Sequence, residues 1–279
     1  MSQVSRKHHL VRRFPGGWST LFLSPANTAV GENSFVTRSA RDGGRIRFRT
    51  LPLPKPDARS GLVRALTPAL SMIGASALLR TARDFRPDVV VCSYIWAAPL
   101  VPRLQDLGVP VIYDCNDYHP AFYPLRREEA EGMFRALLRA ADEVVASSAR
   151  LKDLCGRGVV VGNGVDLATF RGRVDTPLPG RIADSALGDC RDLVIYVGSV
   201  DGRLDFEMIE EVLRSLKSSA RRVGLVCAGR IFDGARPVAE SLAGDFPGSI
   251  LFTGRVPYEE LPQYMSHSSV GIAPFLLNE

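Results

Sequence analysis

Nowhere does the 279-residue chain run through the roughly 18 to 20 uninterrupted apolar side chains that a bilayer-spanning helix needs; its longest apolar runs are short segments such as ADEVVASS. A membrane-spanning protein is therefore not expected. The opening MSQVSRKHHLVRRF is basic, but it lacks the apolar stretch of about seven residues and the small-residue cleavage site of a secretory signal. A cytoplasmic location is the expectation. Cysteine is scarce: Cys92, Cys115, Cys155, Cys190 and Cys227 are odd in number, contain no CxxC, and fall mostly inside or beside expected strands. A thiol there behaves as a small hydrophobe, so neither a disulfide framework nor a zinc site is expected. No GxGxxG occurs, which disfavours a nicotinamide or flavin dehydrogenase.

What the chain does have is ordinary globular composition, 46% hydrophobic and 23% charged, enough for sizeable cores and roughly two domains. The net charge of +5 is unevenly placed: residues 1–50 hold nine Lys/Arg against two Asp/Glu, so that segment carries +7 and the remainder −2. Such a basic face could attract anionic lipid headgroups, a phosphorylated lipid acceptor or nucleic acid, and a peripheral membrane contact is the expectation carried forward. A solvated arginine-rich surface is the alternative; no nucleic-acid partner is expected.

Short β-branched runs recur with helical patterns between them, the rhythm of βα units and parallel sheets. Ten strands are expected, at 19–23, 45–48, 88–92, 109–114, 142–147, 158–161, 192–197, 222–228, 249–253 and 269–273. Helices are expected from Gly61 to Arg83, Arg126 to Ala140, Leu204 to Ser219 and Tyr258 to His267. In the third, Ile209, Leu213 and Leu216 share one face while Glu210, Arg214 and Lys217 turn outward. The stretch from Arg171 to Asp192 is rich in Gly, Pro and Asp without periodicity, so it reads as a linker. The fold class is then α/β with two Rossmann-like domains, 1–168 and 169–279.

Open parallel sheets bind ligands at the carboxyl ends of their strands. Four such junctions carry polar chemistry. In VIYDCNDYHP, Asp114, Asn116, Asp117 and His119 crowd one strand exit: a carboxylate there suits a general base, and His119 could orient a substrate hydroxyl. Asp114 could instead cap a turn, and the spacing is not the DxD of metal-dependent sugar transferases, so no metal site is expected. In LVIYVGSVDGRLDF, Gly198 permits close backbone approach to a diphosphate, the following helix start offers N–H groups, and Arg203 could fork onto phosphate oxygens. Gly198 and Gly202 would equally serve a plain turn. Strands 222–228 and 249–253 each end in Gly-Arg, bringing Arg230 and Arg255 to the same kind of edge, with the backbone at Arg255 and Val256 able to read a base edge. Asn163-Gly164-Val165-Asp166 requires a turn beside the expected linker and suggests a hinge.

In this order the junctions resemble the GT-B glycosyltransferases, especially the large retaining family that elongates polysaccharides, glycolipids and teichuronic-type polymers. ADEVVASSARLKD at 141–153 looks like that family's a-D-x-V-x-x-x-S-x-x-L segment, and VVVGNGVDLATF like its v-x-N-G-V-D-x-x-x-F hinge. LVIYVGSVDGRLD is similar to its phosphate loop, and LFTGRVPYEELPQYMSHSSVGIAPF to its F-x-G-x-V…L…A-D-V-x-x-x-P segment. Together these cover most of residues 85–279.

The resemblance implies an N-terminal domain that takes a lipid-linked or polysaccharide acceptor and a C-terminal domain that takes a nucleoside-diphosphate sugar, without a divalent metal or cofactor. It places Gly198 and Arg203 on the phosphate loop, Arg255 and Val256 near the nucleobase, and Asp117 on the acceptor-side loop. Glu279 would be the first of the family's paired glutamates, on the donor side, ahead of the helix whose glutamate normally binds the donor ribose. The chain departs from the pattern at both ends: the first strand with its glycine loop and the second glutamate are missing, and no Lys follows Arg203. The C-terminal domain is thus expected to be incomplete and the chain alone poorly active. A nucleotide-sugar 2-epimerase on the same scaffold and a non-catalytic degenerate binding protein are the alternative readings.

Overall fold

A computed structural model describes residues 6, 10–11, 13–15, 17–25, 38–39, 46–51, 75–123, 126–171, 176–217 and 222–277. The chain divides into two compact units, Met1–Gly164 and Val165–Glu279.

The first unit holds two sheets. In one, β1 (Thr20–Pro25) pairs in parallel with β3 (Ile46–Leu51), and the two-residue β2 (Arg38–Ser39) pairs antiparallel with β3. In the other, β4 (Val90–Cys92), β5 (Val111–Cys115), β6 (Glu143–Ala146) and β7 (Val159–Val160) lie side by side, all parallel. Cys92 stands opposite Tyr113, Cys115 opposite Ala146 and Ala146 opposite Val160, so the register brings these strand ends to one edge.

The helix Arg127–Ala140 packs on this sheet because Ala130, Phe134 and Leu137, four and three residues apart, form one apolar stripe. Glu128 and Glu129 in its first turn and Arg139 in its last suit the helix dipole. The helix Ala149–Cys155 starts where the Ser148 hydroxyl accepts from the Leu151 amide at 3.2 Å. Ile95, Val101, Val111, Tyr113, Leu137 and Val144 are buried in the common core. Both tryptophans of the chain belong to this unit. Trp96 lies edge-on to Tyr123, with ring centroids 5.4 Å apart, and beneath the Arg126 guanidinium at 4.8 Å; Trp18 is half exposed.

The second unit is one four-stranded parallel sheet in the order β10 (Ile250–Gly254), β9 (Val223–Ala228), β8 (Asp192–Val197), β11 (Val270–Gly271). Successive side chains of β9 leave opposite faces: Leu225 and Cys227 enter one core with Ile209, Leu213 and Leu242, whereas Val226 and Ala228 enter another with Ile182, Leu187 and Tyr264. Cover on both faces explains why these strands read as unbroken apolar runs. The helix Phe206–Lys217 buries Ile209 and Leu213, with Glu210 and Arg214 paired on its outer side.

Each of the ten expected strands is present, and β2 is additional. Two expectations need correction. The stretch read as a linker folds from Thr176 onward against the second unit: Gly180–Ala183 is helical, Ile182 and Leu187 are buried, and the Arg181 guanidinium donates to the Thr253 and Arg255 carbonyls. The segment 258–267 is a short 3-10 turn, Tyr258–Glu260, followed by a helix over Leu261–Ser266, with Pro262 in its first turn. Of the helix expected from Gly61, only the part from Ala75 onward lies within the described residues, and it is helical.

The five thiols are unbridged, and Cys115, Cys155 and Cys227 are buried. Burial disfavours the thiolate and pushes Cys115 and Cys227 up to about 12. With a disulfide-exchange reagent at pH 8, the native protein should therefore label at no more than Cys92 and Cys190 before it unfolds. Rapid reaction at Cys115 or Cys227 would show that these cores open freely.

Candidate functional site

At the edge where β4 to β7 end, the chain leaves β5 through Asn116, Asp117, Tyr118 and His119. The turn is held from within. The Asn116 amide donates to the Asp114 carbonyl at 3.1 Å and the His119 amide to the Asp117 carbonyl at 2.9 Å. The Ser147 hydroxyl, at the exit of β6, donates to the Asn116 carbonyl at 2.9 Å. Tyr118 turns into the core beside Phe134, which leaves Asp117 facing solvent with its carboxylate accepting from the Asn116 side-chain amide at 2.6 Å. His119 opens the 3-10 turn His119–Phe122, its ring edge-on to Phe122 at 6.0 Å. The structure thus brings Asp117 and His119 to one strand exit, as the sequence order required.

Asp114 is different in kind: it is 4% exposed and charged. Its partner is Arg6, whose Nη2 lies 3.3 Å from Asp114 Oδ1 while Nη1 donates to the Gly162 carbonyl at 2.9 Å and to Asn163 Oδ1 at 3.0 Å. One guanidinium therefore ties the end of β5 to the turn after β7. Sequence reasoning missed Arg6, and no local signal marks it, since its partner lies 108 residues away.

In the second unit, β8 leaves through Gly198 and the turn Ser199–Leu204. A Cβ on Gly198 would stand 2.4 Å from the Tyr196 hydroxyl, and a Cβ on Gly229, at the β9 exit, 1.7 Å from the Gly198 carbonyl oxygen. Gly229 is thus required by the neighbouring main chain, whereas at Gly198 the obstacle is the tip of the Tyr196 side chain. The two exit loops run together, with Val200 N donating to the Arg230 carbonyl and Phe232 N to the Val200 carbonyl, each at 2.9 Å. Arg203 is engaged: its backbone N, Nε and Nη2 donate to the Asp201 carboxylate at 3.1, 2.9 and 2.7 Å. This fork holds the Asp201 carboxyl below the usual carboxylate range.

The helix start that the sequence suggested as a source of N–H groups is capped. Asp205 Oδ1 accepts from Met208 N at 2.9 Å, while Asp205 N donates to the Pro274 carbonyl. Arg230 is exposed and stacks on the Phe232 ring at 4.6 Å. Arg255 is exposed, its carbonyl accepting from Arg181 Nη1 at 3.2 Å, and Val256 packs partly into the core beside Ile182. Gly198, Arg203, Arg230, Arg255 and Val256 all follow the carboxyl ends of β8, β9 or β10. Glu279 lies outside the described residues. Among the described residues, no group of three or more His, Cys, Asp or Glu side chains is placed to hold a metal ion, and no helix is long and apolar enough to cross a membrane.

Solved structures share this architecture. HepE from Anabaena, in complex with UDP and glucose, is 16% identical with a TM-score of 0.56, over 82% of this chain and 60% of HepE. An α,α-trehalose-phosphate synthase (UDP-forming) from Burkholderia vietnamiensis is 17% identical with a TM-score of 0.60, over 90% of this chain and 71% of the synthase. The Escherichia coli trehalose-6-phosphate structure bound with UDP-2-fluoro glucose has a TM-score of 0.63 at 13% identity, over 90% and 70% of the respective chains. The chain thus spans 60% of the length of HepE. No curated protein sequence matches it significantly.

Two parallel-sheet units of this kind define the GT-B fold class. The chain belongs to the glycosyl transferase 4-like domain family, which matches residues 9–164.

Proposed function

We propose that the protein is a glycosyltransferase that moves a sugar from a nucleoside-diphosphate sugar to a lipid-linked or polysaccharide acceptor. Membership of the glycosyl transferase 4-like family over residues 9–164 carries this reading. Likeness of fold to structures solved with UDP supports a nucleotide-sugar donor.

In this reading the first unit presents the acceptor and the second the donor. Asp117, exposed at the β5 exit and steadied by Asn116, takes the proton of the acceptor hydroxyl or orients it, and His119 hydrogen-bonds the same hydroxyl. Gly198, Arg203 and Arg230 meet the leaving diphosphate. Arg side chains with backbone amides stabilise the developing charge without a divalent ion. The backbone at Arg255 and Val256 reads the nucleobase, and Glu279 belongs to the same donor side. The basic segment 1–50 meets the anionic membrane that a lipid-linked acceptor requires.

Calorimetric titration with UDP-, GDP- and ADP-glucose tests the donor half, one of the three being expected to bind. Absence of binding to all three removes the reading. With an active donor and acceptor pair, Asp117→Ala should lower the transfer rate about a hundredfold or more while leaving donor affinity unchanged. Incubation with donor alone gives at most slow hydrolysis; conversion of the donor to its 2-epimer would instead identify an epimerase.

A further inference from the structure

The turn after β8 carries more negative charge than a site for a diphosphate calls for. Between Gly198 and Phe206 its charged side chains are Asp201, Arg203 and Asp205, a net charge of −1. Asp205 is committed to the helix start. Asp201 is committed to Arg203, through the Nε and Nη2 edge of the guanidinium and through the backbone amide. That edge is one of the two by which a guanidinium grips a pair of anionic oxygens. The carboxylate therefore occupies, from two residues away, a position that phosphate oxygens would take.

We propose that Asp201 sets the affinity of the second unit for its nucleotide by competing with the diphosphate for Arg203. The inference rests on the donor reading given above and adds to it an internal competitor that weakens binding. Two features of the pair favour competition over permanent fixation. The Arg203 side chain is 59% exposed against 20% for Asp201, so it reaches outward past its partner, and an exposed pair of this type is weak and readily exchanged. The turn does not depend on the ion pair, because Leu204 N donates to the Asp201 carbonyl at 3.1 Å and Leu276 N to the Arg203 carbonyl at 2.9 Å. A ligand with two or more negative charges can then draw the guanidinium away while the backbone stays in place. Asp201 remains beside the bound phosphates as a repulsive charge.

Asp201→Asn is the informative change, since asparagine keeps the Oδ1 acceptor for the Arg203 amide and Nε while removing the charge and the Oδ2 acceptor that Arg203 Nη2 uses. Binding of UDP, GDP and ADP is measured calorimetrically for the wild-type chain, Asp201→Asn, Asp201→Glu, Arg203→Ala and the Asp201→Asn/Arg203→Ala double variant, with circular dichroism confirming that each is folded. Asp201→Asn is expected to bind the preferred nucleotide about threefold to tenfold more tightly at low salt, with a gain that shrinks as ionic strength rises. Asp201→Glu should show no gain, and the gain should vanish in the Arg203→Ala background. Equal or weaker binding by Asp201→Asn, beside a wild type that binds, overturns the competition and makes Asp201 a residue that fixes Arg203. Failure of every form to bind any of the three nucleotides removes the donor reading, and this inference falls with it.

Discussion

Gly229→Ala should destabilise the second unit by roughly 3 kcal/mol, the upper range for forced overpacking of a well-packed site, and should disturb the exits of β8 and β9 together. The cause is a backbone collision. The added methyl would lie 1.7 Å from the Gly198 carbonyl oxygen, and no side-chain rotation relieves a contact with main chain. One of the two loops has to move, yet they are joined by Gly198 N to the Ala228 carbonyl, Val200 N to the Arg230 carbonyl and Phe232 N to the Val200 carbonyl. Displacement of either loop shifts the Arg203 and Arg230 side chains relative to each other. Urea denaturation followed by circular dichroism measures the loss; a midpoint within error of wild type would mean that the loops do not approach as described.

Arg6→Met should cost the first unit about 3 to 5 kcal/mol, the range for removing one partner of a buried ion pair. The Arg6 and Asp114 side chains are only 11% and 5% exposed. Methionine fills the space but leaves a buried carboxylate without its counter-ion, and the Gly162 carbonyl and Asn163 side chain without their donor. Adding Asp114→Asn removes the stranded charge and should recover a large part of the loss. Without that recovery, the guanidinium would act through packing alone and the pairing would have little weight.

The legible parts of the fold are those in which a local pattern repeats. β8 and β9 announce themselves because six consecutive mostly apolar residues can be covered on both faces only in a parallel sheet. The helix Phe206–Lys217 is visible through Ile209 and Leu213, four residues apart. β2 was invisible because two residues carry no period. The stretch from Thr176 to Asp192 was mistaken for a linker because composition spoke against structure. Its anchors, Ile182 and Leu187, are five apart and match neither the helical nor the strand period.

At the candidate site, position was legible and engagement was not. The order of strands placed Asp117, His119, Gly198, Arg203, Arg230 and Arg255 at exits, since each lies in the turn that follows a strand. The partners of Asp114 and Arg203 come from geometry. Arg6 reaches Asp114 only through tertiary folding, whereas an aspartate two residues before Arg203 was a usable sign of a local turn. The Asp205 cap also had a readable signal, an aspartate immediately before a helical pattern.

The placement of the two tryptophans gives the protein an internal reporter. Trp18 and Trp96 both belong to the first unit, so tryptophan emission, excited at wavelengths that tyrosine does not absorb, follows that unit alone, while ellipticity follows both. Arg6→Met should shift the emission-monitored transition, and Gly229→Ala chiefly the ellipticity-monitored one. The separation between the two curves in a single titration measures how far the halves melt as one.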